Sequence, residues 1–294
     1  MMALATTPTM PRRVTVVEVG PRDGLQNERV TVSTADKIEL VNRLSEARLP
    51  VIEVSAFVSP KWVPRLSDAE DVFAGISRRA GTRYTALVPN LAGLERAQRA
   101  GVTEVAIFAA ASDTFSRKNI NKGIEESFAT YKEVCDAALA AGRRVRAYLS
   151  TAFGCPYEGE VAPETVATLA ARLVALGAFE VAVSDTIGIA HPGQIPQVLD
   201  AVLARVPAAQ VALHFHDTRG TALANVLAAL PYGIATFDAS AGGLGGCPYA
   251  PGAPGNLATG DLIQMLSGLE IETGVSLDAL DRAASLIRSR LRPS

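Results

Sequence analysis

Short apolar runs alternate along this chain with longer segments whose apolar positions recur at helical spacing. The runs predict strands over Val14–Val19, Val51–Ala56, Tyr84–Val88, Glu104–Phe108, Arg144–Leu149, Glu180–Ser184, Gln210–His216 and Ala235–Ser240. Between them, amphipathic or alanine-rich patterns predict helices over Ala35–Ala47, Leu91–Ala100, Glu125–Ala141, Pro163–Leu176, Pro192–Val206 and Ala222–Leu230. Pro163 and Pro192 stand where a first helical turn tolerates proline. Gly101, Gly142, Gly177 and Gly233 each follow a helical pattern, where a left-handed cap is expected.

Eight strand–helix units are the number that closes a (β/α)8 TIM barrel. A doubly wound open sheet is the rival, but no GxGxxG follows the first strand and no linker divides the chain. The fold class expected is therefore α/β, a single TIM-barrel domain over residues 1–294 with an extra C-terminal helix. Residues 1–12 are expected to form a flexible N-terminal segment.

The chain has 294 residues, 48% of them hydrophobic, which is ample for a packed core. Its formal net charge of −2 gives no bulk reason to expect nucleic acid or an anionic membrane as partner. The three cysteines, Cys135, Cys155 and Cys247, form no CxxC pair, which favours a reducing compartment over a disulfide framework. No signal-peptide pattern or membrane-spanning run is present in the sequence, so a cytoplasmic enzyme is expected.

Barrel enzymes work at the C-terminal ends of their strands. Strand seven ends in His214-Phe215-His216-Asp217-Thr218, and two histidines at i and i+2 on a strand face the same way. A shared metal explains that pair better than two separately satisfied core imidazoles. Strand one runs into Gly20-Pro21-Arg22-Asp23-Gly24, and barrel closure brings Asp23 near strand seven. Two imidazoles, a carboxylate and an amide oxygen suit Mg2+, Mn2+ or Co2+, with Zn2+ also open. Asp23 alone would read as a turn former beside Gly24, and Arg22 as a surface charge. Glu53 lies inside the apolar strand Val51–Ala56, a costly place for an unpaired carboxylate, and Arg22 is its candidate partner. An outward Glu53 paired to a helix cation is the alternative.

The glycine- and proline-rich loop from Gly242 to Asn256 lacks a P-loop ending and carries Cys247, which suggests a lid bringing a thiol to the site. Cys135, on a helical pattern, reads as a buried hydrophobe; Cys155 in Gly154-Cys155-Pro156-Tyr157 stays open. Arg117, Lys118 and Lys122 could meet coenzyme phosphates, although a solvated face is the commoner explanation.

With these segments in place, the chain resembles the HMG-CoA lyase family. The resemblance rests on Val17–Glu28, Ser59–Pro64, Gly154–Gly159, Ser184–Gly188, His214–Thr218, Gly243–Ala250 and Gly255–Thr259, in order along nearly the whole chain. It implies metal-dependent retro-Claisen cleavage of an acyl-CoA, 3-hydroxy-3-methylglutaryl-CoA, to acetoacetate and acetyl-CoA. It further implies metal ligation by Asp23, His214, His216 and Asn256. Arg22 would bind the substrate carbonyl and stabilise the enolate, Asp23 or His214 would accept the alcohol proton, and Cys247 would be the catalytic thiol. Glu53 and Asp185 match further polar positions of the family's site, and a homodimer is expected. Two positions depart from the pattern: Arg219 stands where tyrosine is expected, which leaves the acyl substrate open, and Arg29 stands where lysine is expected.

Rival readings are a lyase for a longer 3-hydroxy-3-alkylglutaryl-CoA and a Claisen-type acyl-CoA synthase on the same barrel. The Gly-Gly-Cys-Pro-Tyr-Ala loop argues for the lyase. A barrel metal hydrolase, in which the His-x-His pair belongs to the first strand, and a non-catalytic binding protein are more distant alternatives.

Overall fold

The computed structural model describes residues 10–28, 30–245 and 255–291. Eight parallel strands close on themselves in sequence order: β1 (Thr15–Glu18), β2 (Val51–Ala56), β3 (Arg83–Leu87), β4 (Glu104–Ala110), β5 (Arg144–Ser150), β6 (Glu180–Asp185), β7 (Val211–Phe215) and β8 (Thr236–Ala239). β1 pairs with β2 on one side and with β8 on the other, which completes the barrel and excludes the open sheet.

Helices surround the strands: α1 (Thr34–Glu46), α2 (Ala69–Gly75), α3 (Leu91–Arg99), α4 (Asp113–Ile120), α5 (Ile124–Ala140), α6 (Pro163–Ala175), α7 (Gln194–Leu203), α8 (Ala222–Ala229), α9 (Thr259–Gly268) and α10 (Leu277–Leu291). Pro163 opens α6 as expected, whereas α7 begins at Gln194, leaving Pro192 before its first turn. Gly101, Gly142, Gly177 and Gly233 all take positive φ after their helices.

The two-residue period of each strand sorts its side chains into two cores. Outward residues such as Val16, Ile52, Val105, Val145, Val181, Leu213 and Phe237 pack under the helices. Inward residues Leu87, Ala106, Tyr148, Ala182 and Ala212 fill the barrel interior. Three of those interior residues are alanines, which leaves room for the two large inward side chains of β5, Arg146 and Tyr148. At the end of β2 a register shift between Glu53 and Ser55 inserts an extra residue opposite β3, a bulge of the kind that re-aims side chains beside active sites. No helix among the described residues is long and apolar enough to cross a membrane.

Candidate active site

Asp23 reaches the barrel mouth on a wide helical turn, Gly20–Gly24, directly after β1. The amides of Arg22, Asp23 and Gly24 all donate to the Val19 carbonyl, at 3.1, 2.8 and 3.1 Å. His214 belongs to β7. His216 lies one residue beyond its end and pairs with Asn256 in an isolated antiparallel bridge, so it is not a ladder residue as the apolar run suggests. That pairing fixes Asn256 on the β7 end, because Asp217 donates to Gly255 at 2.8 Å and Leu257 to Phe215 at 3.0 Å. Gly245, at φ +97°, permits the approach: a Cβ there would sit 2.5 Å from Asn256 Nδ2.

The ligand atoms of Asp23, His214 and His216 lie within 4.8 Å of one another, a spacing that metal–ligand distances of about 2.0–2.6 Å span. Both imidazole Nε2 atoms point at Asp23 Oδ2, at 3.9 and 3.8 Å, too far for direct hydrogen bonds. Each ring is oriented from behind. His216 Nδ1 faces the Asp185 backbone carbonyl at 3.0 Å, and a carbonyl can only accept, so Nδ1 carries the proton. His214 Nδ1 faces Asp238 Oδ2 at 3.2 Å. Asp238 is itself held by Arg146, with Nη2 to Oδ1 at 2.7 Å and Nη1 to Oδ2 at 3.1 Å, and Arg146 Nε also donates to Glu180 at 2.7 Å. A carboxylate engaged in that way is an acceptor, so His214 is also protonated on Nδ1. In its neutral form each ring therefore presents an Nε2 lone pair toward Asp23, the arrangement metal-binding histidines require.

Asn256 completes the fit. Its Nδ2 donates to Asp23 Oδ2 at 2.9 Å and to the Leu244 carbonyl at 3.0 Å, which fixes the amide's orientation. Its Oδ1 is then buried without a hydrogen-bond partner among the described residues. An orphaned buried oxygen is costly unless something cationic or donating occupies the space before it.

The electrostatics suit a cation. Burial opposes the charged form of Asp23, but the Arg22 guanidinium and the two imidazoles outweigh it and hold the carboxyl well below its usual range. Burial, reinforced by His214, pushes His216 down to about 4, so it is neutral at physiological pH. An ionised aspartate and a neutral imidazole are the forms that bind metal.

Arg22 lies beside this cluster. Its Nε donates to Glu53 at 2.5 Å and its Nη1 to Asp23 at 2.6 Å, so Glu53 points inward and meets the arginine. Burial raises the Glu53 pKa although Arg22 draws it down. The Arg22 guanidinium also lies over the Tyr148 ring at 5.2 Å, with Arg146 at 5.0 Å. No described residue accepts from Arg22 Nη2. Asp185, at the end of β6, accepts from the amides of Ile189 and Ala190 at 3.1 and 2.9 Å; burial nevertheless pushes its pKa up to about 6.

Other candidates stand apart from this cluster or outside the description. Cys247 and Arg29 lie outside the described residues. Cys135 is buried on α5, and Cys155 is buried with its sulfur 3.0 Å from Ser112 Oγ. Arg117 is taken up by Asp113 and Glu126, whereas Lys122 donates to the Thr130 hydroxyl and Lys118 lies over the Tyr157 ring, so neither lysine is paired with a carboxylate among the described residues. Arg219 is exposed. The sequence reading missed Arg146, Tyr148 and Asp238. The signal that singled out Glu53, a charged residue inside an apolar strand, marks Arg146 and Asp238 equally well.

Fold and site together define a class: a TIM-barrel enzyme with a candidate divalent-metal centre at its C-terminal mouth. The chain belongs to the HMGL-like family, whose model matches residues 13–287. It is 54% identical over 281 residues to hydroxymethylglutaryl-CoA lyase YngG of Bacillus subtilis, covering 96% of this chain and 94% of that protein. It is 52% identical over 278 residues to a 3-hydroxy-3-isohexenylglutaryl-CoA/hydroxy-methylglutaryl-CoA lyase of Pseudomonas aeruginosa, covering 95% and 93%. The crystal structure of hydroxymethylglutaryl-CoA lyase from Pseudomonas aeruginosa superposes with a TM-score of 0.95 at 51% identity, over 97% of this chain and 95% of that one.

Proposed function

We propose that the protein is a divalent-metal-dependent carbon–carbon lyase that cleaves 3-hydroxy-3-methylglutaryl-CoA to acetoacetate and acetyl-CoA. The observation that carries the reading is the convergence of Asp23, His214, His216 and Asn256 beside Arg22, in a chain of this family.

Asp23, His214, His216 and the Asn256 amide oxygen would hold the cation. Bound there, it would supply Lewis-acid polarisation of substrate oxygens, which favours ionisation of the tertiary alcohol. The chain's own residues do the rest. Asp23, held ionised, or His214 accepts the alcohol proton. The bond between the carbinol carbon and the thioester-side carbon then breaks. The carbinol carbon becomes the ketone of acetoacetate, and the electron pair passes to the thioester as an enolate. Arg22, fixed by Glu53 and Asp23, keeps Nη2 for the enolate oxygen; one such contact is worth about 3–4 kcal/mol in comparable sites. Cys247 returns a proton to the enolate carbon and completes acetyl-CoA. Asp185, pushed up toward neutrality, offers a carboxyl to a substrate oxygen.

The hard oxygen donors favour Mg2+ or Mn2+ over a thiophilic ion. Three cysteines without a CxxC pair favour a cytoplasmic setting, and a homodimer completes the reading. The test of substrate class is parallel turnover of 3-hydroxy-3-methylglutaryl-CoA and its 3-isohexenyl counterpart, following acetyl-CoA and the ketoacid. One-to-one release from the methyl substrate supports the reading. Release from the longer substrate alone moves the assignment to the longer-chain lyase.

A further inference from the structure

We propose that Glu18 is a positioning residue: one buried carboxylate that sets the relative placement of the three chain segments from which the site is assembled. What those segments carry rests on the reading above. Glu18 shares the outward face of β1 with Val16, between the barrel and α9, and is fully buried. An apolar side chain would be the ordinary choice there, since a buried carboxylate is costly unless its oxygens are satisfied.

Its oxygens are satisfied by three separate segments. Oε1 accepts from the Gly20 amide at 2.9 Å and from the Ala241 amide at 2.7 Å, and Oε2 accepts from Thr259 Oγ1 at 2.7 Å. Gly20 opens the turn that carries Arg22 and Asp23. Ala241 opens the turn that leads toward Gly245 and, beyond the described residues, toward Cys247. Thr259 begins α9, three residues after Asn256. The same three segments meet again inside the barrel mouth, where Asn256 donates to Asp23 and to the Leu244 carbonyl. They are thus pinned twice, once at the site and once behind it at Glu18. The packing is close: a Cβ on Gly20 would lie 2.5 Å from Glu18 Oε1. Glu18's hydrogen bonds go to Gly20, Ala241 and Thr259 and to none of the residues assigned to the metal or to Arg22's ion pairs, so its influence passes through placement of the backbone.

The chemistry of the three bonds separates placement from charge. Glu18→Gln keeps the shape; its oxygen still accepts from both amides, and its NH2 group donates to Thr259 Oγ1, which can accept. Glu18→Ala removes all three bonds. The experiment uses the full-length protein freed of metal by chelation. Mn2+ is titrated with free ion read by electron paramagnetic resonance, Tm is measured without metal, and kcat and KM are measured with 3-hydroxy-3-methylglutaryl-CoA. Glu18→Ala is expected to weaken Mn2+ binding by about 10- to 100-fold and to lower kcat by at least as much, in the range found for partners that orient metal ligands. Glu18→Gln is expected to restore both. A Glu18→Ala protein that loses only Tm while binding Mn2+ and turning over like wild type would overturn the proposal, as would a Glu18→Gln protein as impaired as Glu18→Ala. If Glu18→Ala does not fold, Glu18→Asp and Gly20→Ala disturb the same contacts and are read by the same criteria. A wild-type protein that binds Mn2+ but does not cleave this thioester would defeat the functional reading alone, leaving Glu18 to be judged by Mn2+ affinity.

Discussion

Asp238→Asn changes one atom behind the candidate metal centre, and the structure determines what must follow. Asp238 Oδ2 accepts from His214 Nδ1 at 3.2 Å, while its two oxygens take Arg146 Nη2 at 2.7 Å and Nη1 at 3.1 Å. An asparagine has one oxygen for these donors. With the oxygen toward His214, the new NH2 group opposes the guanidinium. With the oxygen toward Arg146, the NH2 group meets His214 Nδ1, so the imidazole must put its proton on Nε2 and lose the lone pair directed toward Asp23. Either arrangement weakens His214 as a ligand. Loss of such an orienting partner typically costs about 10- to 100-fold in metal affinity, or about 1.4–2.8 kcal/mol. The fold loses as well, since Arg146 is left with one neutralised partner. Breaking a buried pair costs about 3–5 kcal/mol, and the lower end applies because Glu180 still accepts from Arg146 Nε at 2.7 Å. In a chain of this size that lowers Tm by about 6–12 °C. The assay is Mn2+ titration of the metal-free variant together with thermal unfolding in chelator. An Asp238→Asn protein that unfolds earlier yet binds Mn2+ with wild-type affinity would refute the claim that Asp238 orients His214.

Three further outcomes follow. His216→Ala removes a candidate ligand outright, so its Mn2+ affinity should fall by more than the about 100-fold expected for an orienting partner, as read by the same titration. Cys247→Ala should keep Mn2+ affinity and lose about 100- to 10,000-fold in kcat, the usual worth of a proton donor; an unchanged kcat would remove the thiol from the reaction. Burial pushes Glu18 up to about 7 from an ordinary 4.5 although three donors act to lower it, so the folded protein binds this proton more tightly than the unfolded chain. Glu18 therefore contributes stability that is fully present below about pH 4.5 and is lost as pH rises to about 7, a difference on the order of 3 kcal/mol. The gap between wild type and Glu18→Gln, measured by denaturant unfolding in chelator, should move in favour of the glutamine across that window and stay flat above it; a gap constant with pH would contradict the shift.

The barrel was legible because parallel strands buried on both faces appear as short apolar runs, and eight of them alternate with helical patterns. The strand ends moved by a residue or two, as at β8, where pairing stops at Ala239, before Ser240. Two short helices escaped. α2 has only seven residues, and α4 has eight and follows β4 after only Ala111 and Ser112. The metal-ligand candidates were legible because His214 and His216 fall together and Asp23 follows a strand. The orienting layer was not, since it depends on which strands face one another across the barrel. Arg146 and Asp238 are 92 residues apart, and only closure of the barrel places them in contact. Glu18 carries the same signal as Glu53, a carboxylate in an apolar strand, but its role was not legible because two of its three donors, Ala241 and Thr259, come from distant segments that meet it only in the folded chain.

The central claim is that a cation held by Asp23, His214, His216 and Asn256 drives the cleavage. Its most direct test is chelation followed by reconstitution. Acetyl-CoA release from 3-hydroxy-3-methylglutaryl-CoA is measured in metal-free protein and during titration with Mn2+, for wild type and for a protein carrying His214→Ala and His216→Ala. The account predicts no release without metal, recovery that saturates at one Mn2+ per chain in wild type, and neither tight binding nor recovery in the double variant. Full release from metal-free protein, or equal Mn2+ binding by the double variant, would contradict it.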